Sequence, residues 1–187
     1  MRRHIPNAIS LARLLAAPVL ARWIWNREYE YALILLAVAG LTDLLDGFLS
    51  RRWKVASQSG AYLDPLADKA LLVSAYIAGG LDGLIPAWLM WLVLGRDLLI
   101  LSMVAAGFAF TAHRSFPPAL TGKLSTVVQI FYGLVLLYNR SMLADENRAG
   151  PVENAMFWAV AAITIVSGLD YMVRGYRMLR SDPAASG

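Results

Sequence analysis

The chain has 187 residues, 58% of them hydrophobic, and its mean hydropathy of +0.53 is too high for an ordinary soluble domain. It contains no cysteine, which excludes disulfides, zinc–thiolate sites and cysteine nucleophiles. The formal net charge is +4, and the basic residues are distributed as expected at a membrane surface. These properties predict a single helical membrane domain over residues 1–187 that binds a lipid bilayer and no nucleic acid.

Two apolar helices are predicted before the first cluster of acidic residues. The first covers residues 8–25. Its basic start imitates a signal peptide, but Arg13 interrupts the apolar run and tryptophans end it, so we predict a retained transmembrane helix. The second helix covers residues 31–45. Two interpretations of Arg13 stay open: its side chain extends to the nearer membrane interface, or it faces a site and holds an anionic group.

Four more apolar segments complete a predicted set of six transmembrane helices. They cover residues 60–80, 87–112, 121–138 and 152–171, and a basic tail covers residues 174–187. Pro65 either delays the start of the third helix or kinks it, because proline disturbs the hydrogen-bond ladder of a helix interior. In the fourth helix, Arg96 and Asp97 are predicted to form a structural ion pair in preference to lining a site, since adjacent residues point to different helix faces.

The distribution of lysine and arginine predicts the orientation in the membrane. With six spans, both termini lie on the same side of the bilayer. The segments on that side carry Arg2, Arg3, Arg51, Arg52, Lys54, Arg114, Lys123, Arg174, Arg177 and Arg180. The basic residues on the other side are Arg27, Arg140 and Arg148, balanced by Glu28, Glu30, Asp82, Asp145, Glu146 and Glu153. Because basic segments stay in the cytoplasm, we predict a multi-pass protein of the inner (cytoplasmic) membrane with both termini cytoplasmic.

Four aspartates lie beside runs that are otherwise typical of lipid-facing helices. The stretch that contains Asp43 and Asp46 begins near the inner end of the second helix, and Asp64 and Asp68 lie near the start of the third. If both stretches are helical, each pair falls on one helix face, because residues three or four apart share a face. Carboxylates that converge in this way repel one another unless cations neutralise them. Oxygen ligands of this kind suit Mg²⁺ or Mn²⁺.

Small residues accompany these aspartates on the same predicted faces. Gly47 and Ser50 share the face of the first aspartate pair, and Gly60 shares that of the second. A glycine at such a position lets a ligand approach the backbone closely. Solvated acids at helix ends are the alternative, but that interpretation gives the glycines no role. We therefore predict a site for an anionic ligand together with divalent cations.

The stretch from residue 43 to residue 68 resembles the signature of the CDP-alcohol phosphatidyltransferases, Asp-x2-Asp-Gly-x2-Ala-Arg-x8-Gly-x3-Asp-x3-Asp. Every spacing fits, and the single departure is Ser50, where the family has alanine. The resemblance implies a six-helix membrane enzyme that uses CDP-diacylglycerol, forms a homodimer and has its active site on the cytoplasmic side.

The resemblance also implies roles for individual residues. The implied ligands of two Mg²⁺ or Mn²⁺ ions are Asp43, Asp46, Asp64 and Asp68. The residues implied to bind the CDP moiety are Gly47, Ser50, Arg51 and Gly60. Among these, Asp68 is expected to act as the general base on the acceptor hydroxyl, and Arg51 to pair with phosphate.

The acceptor alcohol is indicated by two shorter patterns. Gly122-Lys123-x-Ser125-Thr126-x-x-Gln129 resembles the branch of the family that makes phosphatidylglycerophosphate and cardiolipin. Lys123 either binds the phosphate of the acceptor or is an interfacial lysine that follows the positive-inside bias. Gly95-Arg96-Asp97 is closer to the Ser-Arg-Asp of eukaryotic-type cardiolipin synthases than to the Ala-Arg-Glu of phosphatidylglycerophosphate synthases.

Three functions remain in contention from the sequence. The favoured one is metal-dependent transfer of a phosphatidyl group from CDP-diacylglycerol to phosphatidylglycerol, giving cardiolipin and CMP. The alternative uses glycerol-3-phosphate as acceptor and makes phosphatidylglycerophosphate. The third is a membrane scaffold or transporter with a structural cation site, which a potential base at Asp68 argues against.

Overall fold

The structure is a computed structural model that describes residues 5–53, 60–110, 119–142 and 150–181, with side chains described for residues 11–42, 69–103, 105, 119–142 and 150–177. The described residues form six α-helices and the turns between them. The helices are α1 (Ile5–Trp25), α2 (Tyr29–Trp53), α3 (Gly60–Leu81), α4 (Ala87–Phe110), α5 (Leu120–Met142) and α6 (Pro151–Ser181). The prediction of an all-α protein is confirmed for this part of the chain.

Short turns reverse the chain between neighbouring helices. After α1, Arg27 adopts a left-handed conformation with φ of 59°, and the Glu28 N–H donates to the Trp23 carbonyl at 2.8 Å. After α3, Gly83 has φ of 79°, a conformation that glycine adopts without steric cost. Pro86 then precedes α4, where its missing N–H costs no helical hydrogen bond. These turns make α2 antiparallel to α1 and α4 antiparallel to α3.

Side-chain contacts between helices define an up-and-down bundle. Lys69–Asp97 and Gly80–Met90 fix the direction of α3 against α4. Thr121–Asp170 and Arg140–Glu153 do so for α5 against α6. Arg96–Ser167 and Gly175–Met103 do so for α4 beside α6. The first two helix pairs are antiparallel, and α4 runs parallel to α6. We call the end where α2 and α4 finish and α3 and α5 begin the motif end, and the other end the opposite end.

The core consists of two apolar clusters that share the central helices α3 and α5. One cluster joins α1, α2, α3 and α5, and includes Leu20, Leu36 and Leu71. The other joins α3, α4, α5 and α6, and includes Leu89 and Val160. Burial of such side chains against each other stabilises the packing through many van der Waals contacts.

Two helices within the described residues are long and apolar enough to cross a membrane. They are Leu120–Met142 with 23 residues and Pro151–Arg177 with 27 residues. A span needs about 20 residues at 1.5 Å per residue. Large apolar side chains also face outward on other helices, among them Leu98 and Trp91, each with 67% of its surface exposed. An outer surface of this kind is what lipid contact requires.

Several predicted helix ends are wrong. Helix α2 continues beyond residue 45 to Trp53, α5 continues to Met142, and α6 continues through residues 174–181, so the first part of the predicted basic tail is helical. Hydropathy marks where apolar residues stop, whereas arginine, leucine and methionine extend a helix into the polar region at little cost. The later start considered for α3 is also wrong, because the helix begins at Gly60 and contains Pro65.

Candidate active site

The predicted aspartates all lie on helical backbone at the motif end. Asp43 and Asp46 belong to α2, which stays helical to Trp53, and Asp64 and Asp68 belong to the first turns of α3. The helicity that places each pair on one face is therefore confirmed. Their side chains lie outside the described residues, so the convergence of all four carboxylates stays a prediction.

The residues predicted to bind the CDP moiety lie next to these aspartates in the chain. They are Gly47, Ser50 and Arg51 in the last turns of α2, and Gly60 at the first residue of α3. The side chains of Ser50 and Arg51 are likewise outside the described part of the structure. The backbone places all four of these residues at the end of α2 and the start of α3.

The donor set fits a hard divalent cation. Carboxylate oxygens are the ligands that Mg²⁺ and Mn²⁺ prefer, and neither thiolate nor imidazole is present in the aspartate stretch. Among the described side chains, no group of three or more histidines, aspartates or glutamates lies close enough together to hold a metal. Asp43, Asp46, Asp64 and Asp68 stay the predicted residues that would hold the ions.

A chain of polar side chains starts one residue after Asp68 and crosses three helices. The Lys69 Nζ lies 3.3 Å from the Asp97 Oδ1, and the Arg96 Nη1 lies 2.7 Å from the same oxygen. Arg96 is buried and also donates from Nε and Nη2 to the Ser167 Oγ, at 3.1 Å and 2.7 Å. The predicted Arg96–Asp97 ion pair is thus confirmed, and it ties α3 and α6 to α4.

The start of α5 packs closely against this chain. The Arg96 guanidinium carbon lies 5.8 Å from the centroid of the Tyr171 ring, a cation–π contact, and the Tyr171 hydroxyl accepts a hydrogen bond from the Ala119 N–H at 3.2 Å. A Cβ on Gly122 would lie 2.9 Å from the Tyr171 hydroxyl and 3.0 Å from the Arg96 Nη2. The glycine of the Gly122–Lys123 pair is therefore a steric requirement of the packing.

The polar residues that follow Gly122 on α5 hold α5 to α6. The Gln129 Nε2 donates to the Ser125 Oγ at 3.1 Å and to the Thr164 Oγ1 at 3.2 Å, and all three side chains are fully buried. Nearer the motif end, the Thr121 hydroxyl donates to Asp170 at 2.7 Å. Ser125 and Gln129 are thus engaged in helix packing.

Two further predicted binding residues differ in their exposure. Lys123 is exposed near the start of α5 at the motif end. Arg13 is buried, with only 6% of its surface accessible, so it lies against the helix bundle rather than extending along a lipid-facing side. For Arg13 the structure therefore favours the inward-facing interpretation.

An apolar pocket lies in the opposite half of the bundle between α1, α2, α3 and α5. Its lining includes Ile24, Gly79, Leu84 and Leu136, and most of the exposed atoms are apolar. Such a lining offers no charged group to a pyrophosphate, and its α3 residues, Ala75, Tyr76 and Gly79, lie about two to three helical turns from Asp68. The pocket is not the site predicted from the aspartates.

The described residues form an all-helical bundle, and its motif end carries the four aspartates on helical backbone. The family model for CDP-alcohol phosphatidyltransferase matches residues 3–166. The chain belongs to the CDP-alcohol phosphatidyltransferases, which are membrane proteins.

The relatives of the chain fall into two groups by name. The rat protein named cardiolipin synthase (CMP-forming) is 34% identical over 181 residues, covering 86% of this chain and 57% of the relative. A Streptomyces coelicolor protein of the same name is 33% identical, covering 97% and 86%. The Bacillus subtilis CDP-diacylglycerol–glycerol-3-phosphate 3-phosphatidyltransferase is 29% identical, covering 95% and 98%. The chain thus spans little more than half the length of the rat relative.

Proposed function

We propose that this chain transfers a phosphatidyl group from CDP-diacylglycerol to the free hydroxyl of phosphatidylglycerol, forming cardiolipin and releasing CMP. The observation that carries this proposal is the placement of Asp43, Asp46, Asp64 and Asp68 on continuous helices at one end of a membrane bundle. Membership of the family supports the same donor chemistry.

The proposed reaction is a displacement at phosphorus. The acceptor hydroxyl oxygen bonds to the phosphorus that carries diacylglycerol, the bond from that phosphorus to the CMP oxygen breaks, and the hydroxyl proton passes to Asp68. Asp43, Asp46, Asp64 and Asp68 would hold two Mg²⁺ or Mn²⁺ ions, which would supply Lewis-acid stabilisation of the phosphate charge. Arg51 pairs with a phosphate oxygen, and Gly47 and Gly60 let the nucleotide lie against backbone.

The charges at the motif end do not separate the two acceptors. Lys69 and Arg96 share Asp97, and the Arg174 Nε lies 2.9 Å from the Asp170 carboxylate, so these cations already face carboxylates. Glycerol-3-phosphate carries close to two negative charges at neutral pH, whereas the phosphodiester of phosphatidylglycerol carries one. The exposed Lys123 and the further basic residues that the sequence places at this end suit either phosphate.

Phosphatidylglycerophosphate synthesis is the second candidate. It is favoured by the relatives named for glycerol-3-phosphate transfer, among them the Bacillus subtilis protein at 29% identity and a rice chloroplast protein at 32%. Because the cardiolipin synthases match at 33% and 34%, identity alone does not separate the two. The tripeptide Gly95-Arg96-Asp97 is the feature that makes phosphatidylglycerol our choice.

Product analysis with separate acceptors tests the proposal. Purified protein in lipid nanodiscs is given labelled CDP-diacylglycerol with Mg²⁺, and either phosphatidylglycerol or glycerol-3-phosphate. We expect CMP and cardiolipin with phosphatidylglycerol, and only background CMP release with glycerol-3-phosphate. Phosphatidylglycerophosphate as the sole product would establish the second candidate. If no CMP is released with either acceptor, the scaffold or transporter hypothesis is favoured instead.

We also propose that all six helices span the membrane, with the motif end in the cytoplasm. The alternating helix directions and the basic residues at the motif end support this orientation. Because the chain has no cysteine, Ser57→Cys and Ala144→Cys each introduce a single reactive thiol. A membrane-impermeant maleimide should label Ala144→Cys in intact spheroplasts, and Ser57→Cys only after lysis. The reverse pattern would refute the orientation.

The homodimer implied by the resemblance stays a proposal. Its test is the mass of the purified protein in detergent by native mass spectrometry. A particle with the mass of two 20.5 kDa chains is expected, and a monomer at all concentrations would contradict it.

A further inference from the structure

Asp97 is a carboxylate that the proposed reaction does not use, and it contacts Lys69, the residue that follows Asp68. It lies on α4, with only 12% of its side chain exposed, and it accepts contacts from Lys69 at 3.3 Å and Arg96 at 2.7 Å. Arg96 has other partners in Ser167, whereas Asp97 is the partner that the structure gives Lys69 among the described residues. The Lys69 side chain is consequently directed toward α4.

The position of Lys69 in the chain makes this contact relevant to the site. Lys69 directly follows Asp68, so the two residues are 100° apart around α3 and separated by 1.5 Å along it. A lysine has a flexible four-carbon stem and a compact ammonium charge. Without Asp97, the Lys69 ammonium would be free to turn from α4 toward the aspartates. There it would compete with a divalent cation for carboxylate oxygens.

We propose that Asp97 is a positioning residue that holds the Lys69 ammonium on the α4 side and thereby sets how tightly the aspartate cluster binds a divalent cation. This inference rests on the proposed function, because it takes the aspartates as the metal ligands. The group of Lys69, Arg96 and Asp97 carries a net charge of +1 in this arrangement. Neutralising Asp97 raises that charge by one unit, and neutralising Lys69 lowers it by one unit.

The signs of the expected effects follow from this charge arithmetic. Asp97→Asn raises the net charge of the group to +2 and releases Lys69, so Mn²⁺ binding should weaken about 3–10-fold, as expected for one extra charge at about 10 Å in a medium of high dielectric constant. Lys69→Gln lowers the charge to zero, so Mn²⁺ binding should tighten. The double variant Lys69→Gln/Asp97→Asn restores +1 without any ion pair, and should bind Mn²⁺ like the wild type.

Mn²⁺ binding is measured by electron paramagnetic resonance of the free ion, on each purified variant in nanodiscs without substrate. Glu153→Gln is the matched control, because Glu153 is a buried carboxylate at the opposite end with Arg140 at 3.2 Å and Asn139 at 2.7 Å. It should lower thermal stability and leave Mn²⁺ binding unchanged. If Asp97 served only in packing, the double variant would bind Mn²⁺ less tightly than either single variant.

The outcomes separate this inference from the proposed function. Equal Mn²⁺ affinity in the wild type and all three charge variants overturns the inference and leaves the proposed reaction untouched. A wild type that binds no Mn²⁺ overturns the metal chemistry of the proposed function, and the inference with it. Weaker binding in Asp97→Asn with recovery in the double variant supports the inference, whichever acceptor alcohol the product analysis identifies.

Discussion

Asp68→Asn is expected to lower turnover by about 10²–10⁴-fold while CDP-diacylglycerol still binds, because loss of a general base typically costs that much. The substitution keeps the size of the side chain and one of its oxygens, but removes the negative charge and most of the basicity. The measurement is CMP release as a function of Mg²⁺ concentration, with donor binding measured separately.

Asp43→Asn provides the contrast for Asp68→Asn. It removes a proposed metal ligand, so raising the Mg²⁺ concentration should restore part of its turnover, and the same treatment should not rescue Asp68→Asn. The carboxylates are coupled through shared cations, so each rate is compared over the whole metal titration. Near wild-type turnover of Asp68→Asn at high Mg²⁺ would make Asp68 a metal ligand and place the base elsewhere.

Asp82→Asn is the matched control for both substitutions. Asp82 lies at the opposite end, where its carboxylate accepts a hydrogen bond from the Tyr29 hydroxyl at 3.4 Å and lies 4.0 Å from the Arg27 Nε. Both contacts are long and Arg27 is exposed, so they contribute little to stability. The control variant should keep wild-type turnover, which shows that the effect of Asp→Asn depends on position.

Chelation of divalent cations is expected to reduce turnover to background, and added Mg²⁺ or Mn²⁺ to restore it. Four neighbouring carboxylates bind phosphate only if cations neutralise them, because carboxylate and phosphate charges otherwise repel one another. The measurement is CMP release in excess chelator before and after the ion is returned. Thermal unfolding in parallel distinguishes loss of the ions from loss of the fold. Full turnover in excess chelator would contradict the metal-dependent mechanism.

The number and type of helices could be predicted because each is a long apolar run, but their ends could not. Hydropathy changes where the apolar environment ends, and α6 passes that point without interruption, reaching Ser181. The aspartate stretch was predictable because helix geometry relates Asp43 to Asp46 and Asp64 to Asp68 over one turn. Local spacing of this kind is visible in a single sequence.

The contacts of Lys69 with Asp97 and of Arg96 with Ser167 show what the sequence alone does not provide. Asp97 lies on the next helix and Ser167 on the last, and no local periodicity relates residues so far apart in the chain. One signal was available for the α5–α6 interface. Ser125 and Gln129 on α5, and Thr164 and Ser167 on α6, interrupt apolar helices at steps of four and three, as interhelical polar contacts do.

The antiparallel contact of α5 with α6 fixes the longitudinal alignment of the two helices. Polar contacts occur at three levels along the pair, at Thr121–Asp170, Gln129–Thr164 and Arg140–Glu153. A slip of one helical turn, about 5.4 Å, would break all three at once and leave the buried Gln129 and Glu153 without these partners. The register of this helical hairpin is therefore set by contacts between α5 and α6 and does not depend on the segment that joins them.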